Sequence, residues 1–136
     1  EAAGFKVTQD VREYNQIESE ALAGKFHAVL VSRSTVLDSG DAVAYMTADF
    51  SSSGSYSMSG LHDEKVDAAI SKAAATQPGD ERHKAIMAAE QAILASGAAI
   101  PLAHERVIQG EAAGVSGAQR DPGERALITS ATTVKK

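Results

Sequence analysis

Hydroxyls and carboxylates are the groups of this chain best suited to chemistry, and they are densest in the run SSSGSYSMSG at residues 51 to 60. A serine hydrolase of the α/β type needs Gly-x-Ser-x-Gly on a turn from strand to helix, and the stretch from Gly54 to Gly60 does not offer that spacing. The run reads instead as a surface loop with Tyr56 and Met58 as buried anchors. Four histidines, His27, His62, His83 and His104, are scattered without the His-Glu-x-x-His pattern that sets two imidazoles on one helix face. Surface or capping roles suit them better than metal ligation. Asp38-Ser39-Gly40-Asp41 has the look of a piece of a calcium loop, but the further oxygen ligands and the distant Glu are missing, and capping of a following helix by Asp41 is the simpler reading. Asp63-Glu64 and Asp80-Glu81 fall where helix first turns favour negative charge. Gly114-Val115-Ser116-Gly117-Ala118 lacks the Gly-Lys-Ser/Thr of a phosphate loop and reads as a turn. With no cysteine there is no thiolate chemistry, disulfide or Cys-based zinc site. The expectation is a protein that is not an enzyme, with no catalytic residues, no metal and no cofactor.

The elements that must position these groups follow from periodicity. A helix should begin near His62 to Glu64 and bury Val66, Ile70 and Ala73. A second should be capped by Asp80, carry Glu81 in its first turn, bury Ile86, Ala89 and Ile93, and end at Gly97 in a left-handed conformation. Residues 98–103, with Pro101 near the start, read as an entering strand that 104–109 could continue. Upstream, Gly4 closes a helix end and Phe5, Val7, Gln9 and Val11 alternate with polar neighbours as a half-buried strand would. Tyr14, Ile17, Ala21 and Leu22 recur at helical spacing up to Gly24, and 26–32 is an apolar run of strand length. Strand, helix, strand in that order implies a parallel pair with a right-handed crossover, and ligands of such sheets sit beyond the carboxyl ends of the strands. That places attention on residues 32–41, followed by a short helix over 43–50. Residues 110–125 are turn-rich, and 126–134 reads as a last strand.

Composition sets bounds on function. The 136 residues suit one domain with a modest core, and 4% aromatic content without Trp makes that core thin and aliphatic. A net charge of -5 argues against a nucleic-acid partner, because phosphate binding draws on clustered Lys and Arg. No apolar run approaches the roughly 20 residues that a membrane span requires.

The spacing of Leu61, Val66-Asp67, Glu81-Arg82, Ala89-Glu90 and Ile100-Pro101-Leu102, with Gly4-Phe5-Lys6-Val7 and Gly24-Lys25-Phe26-His27-Ala28 upstream, resembles the C-terminal part of the family 5 extracellular solute-binding proteins. These are oligopeptide, dipeptide and nickel receptors of ABC importers. The resemblance implies an α/β fold, a partial lobe of a type II periplasmic-binding-protein-like architecture with a mostly parallel sheet and flanking helices. Residues 1–103 would then be the C-terminal part of the second, ligand-binding lobe, and 104–136 a segment returning toward the first. The implied function is ligand binding for import of peptides or a similar small solute. The implied partners are the solute, the remainder of the receptor and the importer's membrane subunits. The implied location is extracytoplasmic, periplasmic or as a cell-surface lipoprotein.

Carried over position by position, the resemblance makes Ser32, Arg33, Asp38, Asp41, Tyr56 and Ser57 the ligand-binding candidates. Ser32 and Arg33 stand at the strand end, and Asp38 or Asp41 takes the acidic role that meets a peptide ammonium. Arg33 replaces a frequent Trp and suits a carboxylate through a bidentate contact, which implies an anionic or zwitterionic ligand. The competing reading pairs Arg33 structurally with Asp38 or Asp41. Ser57 stands where many relatives have Asn, and His27 where Asp is usual. Two other function classes remain open: a small hydrolase using the Ser-rich loop with His62 or Asp38, and a free-standing protein-interaction domain.

Overall fold

The structure is a computed structural model that describes residues 2–33, 40–104, 108–119 and 127–135. Among the described residues the regular elements are four helices, α1 (Tyr14–Leu22), α2 (Ala42–Phe50), α3 (Glu64–Ala75) and α4 (Asp80–Ala95), and two short strands, β1 (Val115–Ser116) and β2 (Thr133–Val134). The strands pair antiparallel, Val115 with Val134 and Ser116 with Thr133. The fold is therefore mostly helical, which overturns the expected α/β lobe with a mostly parallel sheet. The physical reason is visible in the three stretches expected to be strands. Residues 5–11, 26–32 and 98–103 carry no regular secondary structure, and no backbone hydrogen bond joins them among the described residues. Period-2 alternation shows which side chains would share a sheet face but cannot supply the neighbouring strand that makes a ladder. The apolar side chains of these stretches accordingly stand in solvent: Phe5 is 73% exposed, Leu30 81% and Ile100 79%. Of the expected last strand over 126–134, residue 126 lies outside the described residues, and the rest shrinks to β2.

The helices follow the sequence more closely. Asp63 accepts hydrogen bonds from the amides of Lys65 and Val66, fixing the start of α3, and Val66, Ile70 and Ala73 are its buried residues as anticipated. Asp41 caps α2 by accepting from the Val43 amide at 3.0 Å. Gly24, at φ 68°, closes α1, with Gly24 N–H bonded to the Ala21 carbonyl and Lys25 N–H to that of Glu20. This crossed pair satisfies carbonyls that the helix end would otherwise leave open. α4 differs in detail. Gly79 is its N-cap and makes no side-chain hydrogen bond, so Asp80 is the first helical residue and contributes charge to the first turn. Its buried stripe is Ala85, Ala89 and Ile93, with Ile86 half-buried at the margin.

The core lies between α2, α3 and α4. Val43, Met46, Val66, Ile70, Ala73, Ala85, Ala89 and Ile93 form one cluster. Alanines at the α3/α4 seam, with Ala73 and Ala89 fully buried, let the two backbones approach closely. α1 packs against none of these helices and buries only Ala21.

A set of polar contacts ties α2, α3 and α4 together. Arg82, near the start of α4, donates to the carbonyls of Ala73 (2.6 Å) and Thr76 (2.9 Å) at the end of α3. Its other nitrogen donates to Asp41 at 2.7 Å. One guanidinium thus does for α3 what a C-terminal glycine does elsewhere and also holds the residue that caps α2.

Candidate functional site

The site forms where α2 meets the loop at 51–60. Gly54 begins the arrangement: a Cβ there would collide with the Ala48 carbonyl and lie 2.7 Å from that of Thr47, so only glycine lets the loop fold onto α2. The Tyr56 amide then donates to the Ala48 carbonyl at 2.9 Å. Ser51, itself buried, donates its hydroxyl to the Thr47 carbonyl at 2.7 Å, and the Ser52 amide donates to Asp67 of α3 at 2.8 Å. The Ser-rich run is thus fastened at both faces, and Tyr56 and Met58 are half-buried rather than buried anchors.

Tyr45 and Tyr56 of this platform meet Arg33, and Tyr14 of α1 reaches the Tyr56 hydroxyl. The Arg33 guanidinium lies 4.6 Å from the ring centre of Tyr56 and 5.5 Å from that of Tyr45. Its Nε and one Nη donate to the two carboxylate oxygens of Asp49 at 2.9 and 2.7 Å. This is a fork-on-fork pair within reach of two rings, an arrangement that a planar guanidinium satisfies and an ammonium does not. Asp49 is a buried residue, and its hydrogen bonds hold the Arg33 guanidinium still more firmly protonated than usual. The Tyr14 and Tyr56 hydroxyls lie 2.8 Å apart. Hydrogen bonding to Glu18, then to Tyr14, pushes the Tyr56 phenol well above its ordinary pKa. Burial, followed by the Asp49 charge, raises that of Tyr45.

The six candidates are therefore distributed unevenly. Arg33 and Tyr56 are in direct contact, with Ser32 and Ser57 beside them in the chain. The Ser57 hydroxyl is within 3.5 Å of that of Ser59. Asp41 stands apart from this group: its oxygens accept from the Val43 amide and from Arg82. Asp38 lies outside the described residues. The structural partner of Arg33 is Asp49 rather than Asp38 or Asp41, and Tyr45 and Tyr14 join the site beyond the six candidates. A usable signal was present in α2. The segment AVAYMTADF is apolar but for Thr47 and a carboxylate four residues after a tyrosine, and a carboxylate on such a helix needs a cation.

Among the described residues, no loop hydroxyl is hydrogen-bonded to a histidine, so the serines lack the nucleophile–base contact that acyl transfer uses. A shallow groove of about 310 Å³ between α2 and α3 is lined by Thr47, Ser51, Ser53, Asp67, Ile70 and Ser71, among others. Among the described residues, no three His, Asp or Glu side chains converge as metal ligands, and no helix is long and apolar enough to cross a membrane. No protein-family model, curated protein or solved structure matches the chain.

Proposed function

We propose that the chain is the ligand-facing part of a solute-binding component of an ABC importer, acting outside the cytoplasm on peptides or a similar small solute. The observation that supports this reading is the contact of Arg33 with Tyr56 at 4.6 Å. It brings together two segments, 32–33 and 56–57, that are far apart in the chain and that the family resemblance makes the ligand contacts. Ser32, Tyr56 and Ser57 then offer hydroxyls to a ligand main chain. Because Asp49 matches the charge of Arg33 at 2.7 Å, the ligand is zwitterionic rather than anionic. The exposed Phe5, Leu30 and Ile100 fit a protein that meets the rest of a receptor over these stretches.

Amide NMR titration with di-, tri- and tetrapeptides into the millimolar range tests this. Shifts centred on residues 32–33 and 56–57 are expected, and a spectrum unmoved by every peptide overturns the reading. The same exposed side chains also favour a second reading, a free-standing interaction domain. That reading is sustained if peptides leave the site unmoved while the resonances of 5–11 and 98–103 broaden as protein concentration rises.

A further inference from the structure

The groove of about 310 Å³ between α2 and α3 is walled by hydroxyls whose protons are already given to the protein. Thr47 donates its hydroxyl proton to the Val43 carbonyl at 2.8 Å, and Ser51 donates its own to the Thr47 carbonyl at 2.7 Å. A hydroxyl has one proton, so at the 3.4 Å contact between Ser51 and Ser53 the donor is Ser53. Toward a ligand these three oxygens can only accept. Asp67 is an acceptor as well. Its carboxylate takes hydrogen bonds from the Ser52 side chain and, at 2.8 Å, from the Ser52 amide, and both favour the ionised form. A carboxylate offers about four lone-pair directions, so the two bonds from Ser52 leave room for more. Ser71, which makes no hydrogen bond among the described residues, can serve as donor or acceptor, and Ile70 adds aliphatic surface to the same wall.

A wall rich in acceptors and poor in donors selects a ligand that brings its own protons. An ammonium carries three donors and no acceptor, and it is compact enough to meet single oxygens from separate residues. A guanidinium is planar and forks best onto both oxygens of one carboxylate, whereas Asp67 already shares its Oδ1 with the Ser52 amide. A calcium ion draws on six or more oxygens with several carboxylates among them, and among the described residues no three His, Asp or Glu side chains converge. We propose that this groove binds a primary aliphatic ammonium, with Asp67 as its counter-ion, Thr47, Ser51 and Ser53 as neutral acceptors, and Ile70 against the alkyl chain. The net charge of -5 favours the approach of such a cation. The ammonium belongs either to a free alkylamine or to a lysine side chain of a polypeptide. The inference concerns this groove alone and stands independently of the transport reading.

The test is an amide NMR titration of the full 136-residue chain with n-butylammonium at neutral pH and constant ionic strength. Saturable shifts are expected at residues 47, 51–53, 67 and 71. Butan-1-ol, which has the chain without the charge, and tetramethylammonium, which has the charge without N–H donors, should leave these residues unmoved. Asp67→Asn should weaken the response by about tenfold or more, because it removes a charge-assisted hydrogen bond. Asp67 also fastens the loop through Ser52, so Thr47→Val is the second variant: it removes one acceptor, keeps the Ser52 contact, and should weaken binding several-fold. Nα-acetyl-lysine N-methylamide separates the two sources of the ammonium. Binding at least as tight as that of n-butylammonium assigns the groove to a polypeptide lysine, weaker binding assigns it to a free amine, and both support the site. An equal response to tetramethylammonium, an undiminished response in both variants, or no saturable response to n-butylammonium or the lysine amide would overturn the proposal.

Discussion

Asp41 and Arg82 meet at 2.7 Å, and through that contact the N-cap of α2 is tied to the guanidinium that closes α3 from the first turn of α4. Two helix ends therefore depend on two side chains, one of them carried by a third helix. The Arg82 side chain is only 17% exposed, so its loss also opens packing space between the helices.

Arg82→Ala should cost about 2 to 3 kcal/mol, since it leaves carbonyls at the end of α3 without a charged donor. Asp41→Asn, which keeps a good cap but loses the charge, should cost well under half of that, and Asp41→Ala about 1 kcal/mol more than Asn. Urea unfolding followed by circular dichroism ranks the three. Equal losses for Asn and Ala at position 41 would show that the cap contributes nothing.

Gly54→Ala places a methyl group against backbone carbonyls rather than against a flexible side chain. Overpacking of this kind costs on the order of 1–3 kcal/mol. Alanine here should lower the melting temperature and shift the amide resonances of Tyr56 and Ala48, whereas Gly110→Ala, where no atom lies within 4 Å of the added carbon, should do neither.

The Asp67 carboxylate is held below its ordinary pKa, first by the side-chain hydrogen bond from Ser52 and then by the Ser52 amide. A carboxylate whose pKa is lowered on folding stabilises the protein above its unfolded pKa of about 4, and that contribution fades as pH falls through the lower folded value. Unfolding midpoints measured from neutral pH down into that acid range should therefore fall less steeply in Asp67→Asn than in the unsubstituted chain. Parallel curves for the two proteins would count against the Ser52 contact.

Core and flanking apolar residues should behave oppositely. Ile70 is 3% exposed and lies at the centre of the α2–α3–α4 cluster, so Ile70→Ala should cost about 2–5 kcal/mol and threaten folding altogether in so thin a core. Phe5 is 73% exposed, and Phe5→Ser should leave the midpoint within about 0.5 kcal/mol. A reversed order in thermal melts would mean that the flanking stretches form a core of their own.

The amino-acid sequence by itself determined the local elements. The apolar spacing of Val66, Ile70 and Ala73, the cap Asp41, the acidic start of α3 at Asp63 and Glu64, and the closing glycines 24 and 97 are short-range features that the structure reproduces, whereas the cap expected at Asp80 falls on Gly79. Their causes lie within a few residues of their effects, which is why they can be read along the chain. Pairings across distance were decided by tertiary structure. Arg33 had several carboxylates within reach in the sequence, and it is the placement of α2 beside the loop at 51–60 that gives it Asp49 and two tyrosine rings. Arg82 was legible only as a residue of the first turn of α4, and its service to α3 and Asp41 follows from how those helices pack. The absence of the expected strands among the described residues has the same cause. Alternation at Phe5, Val7 and Val11 is written locally, but a sheet exists only where another backbone lies alongside to accept and donate its hydrogen bonds.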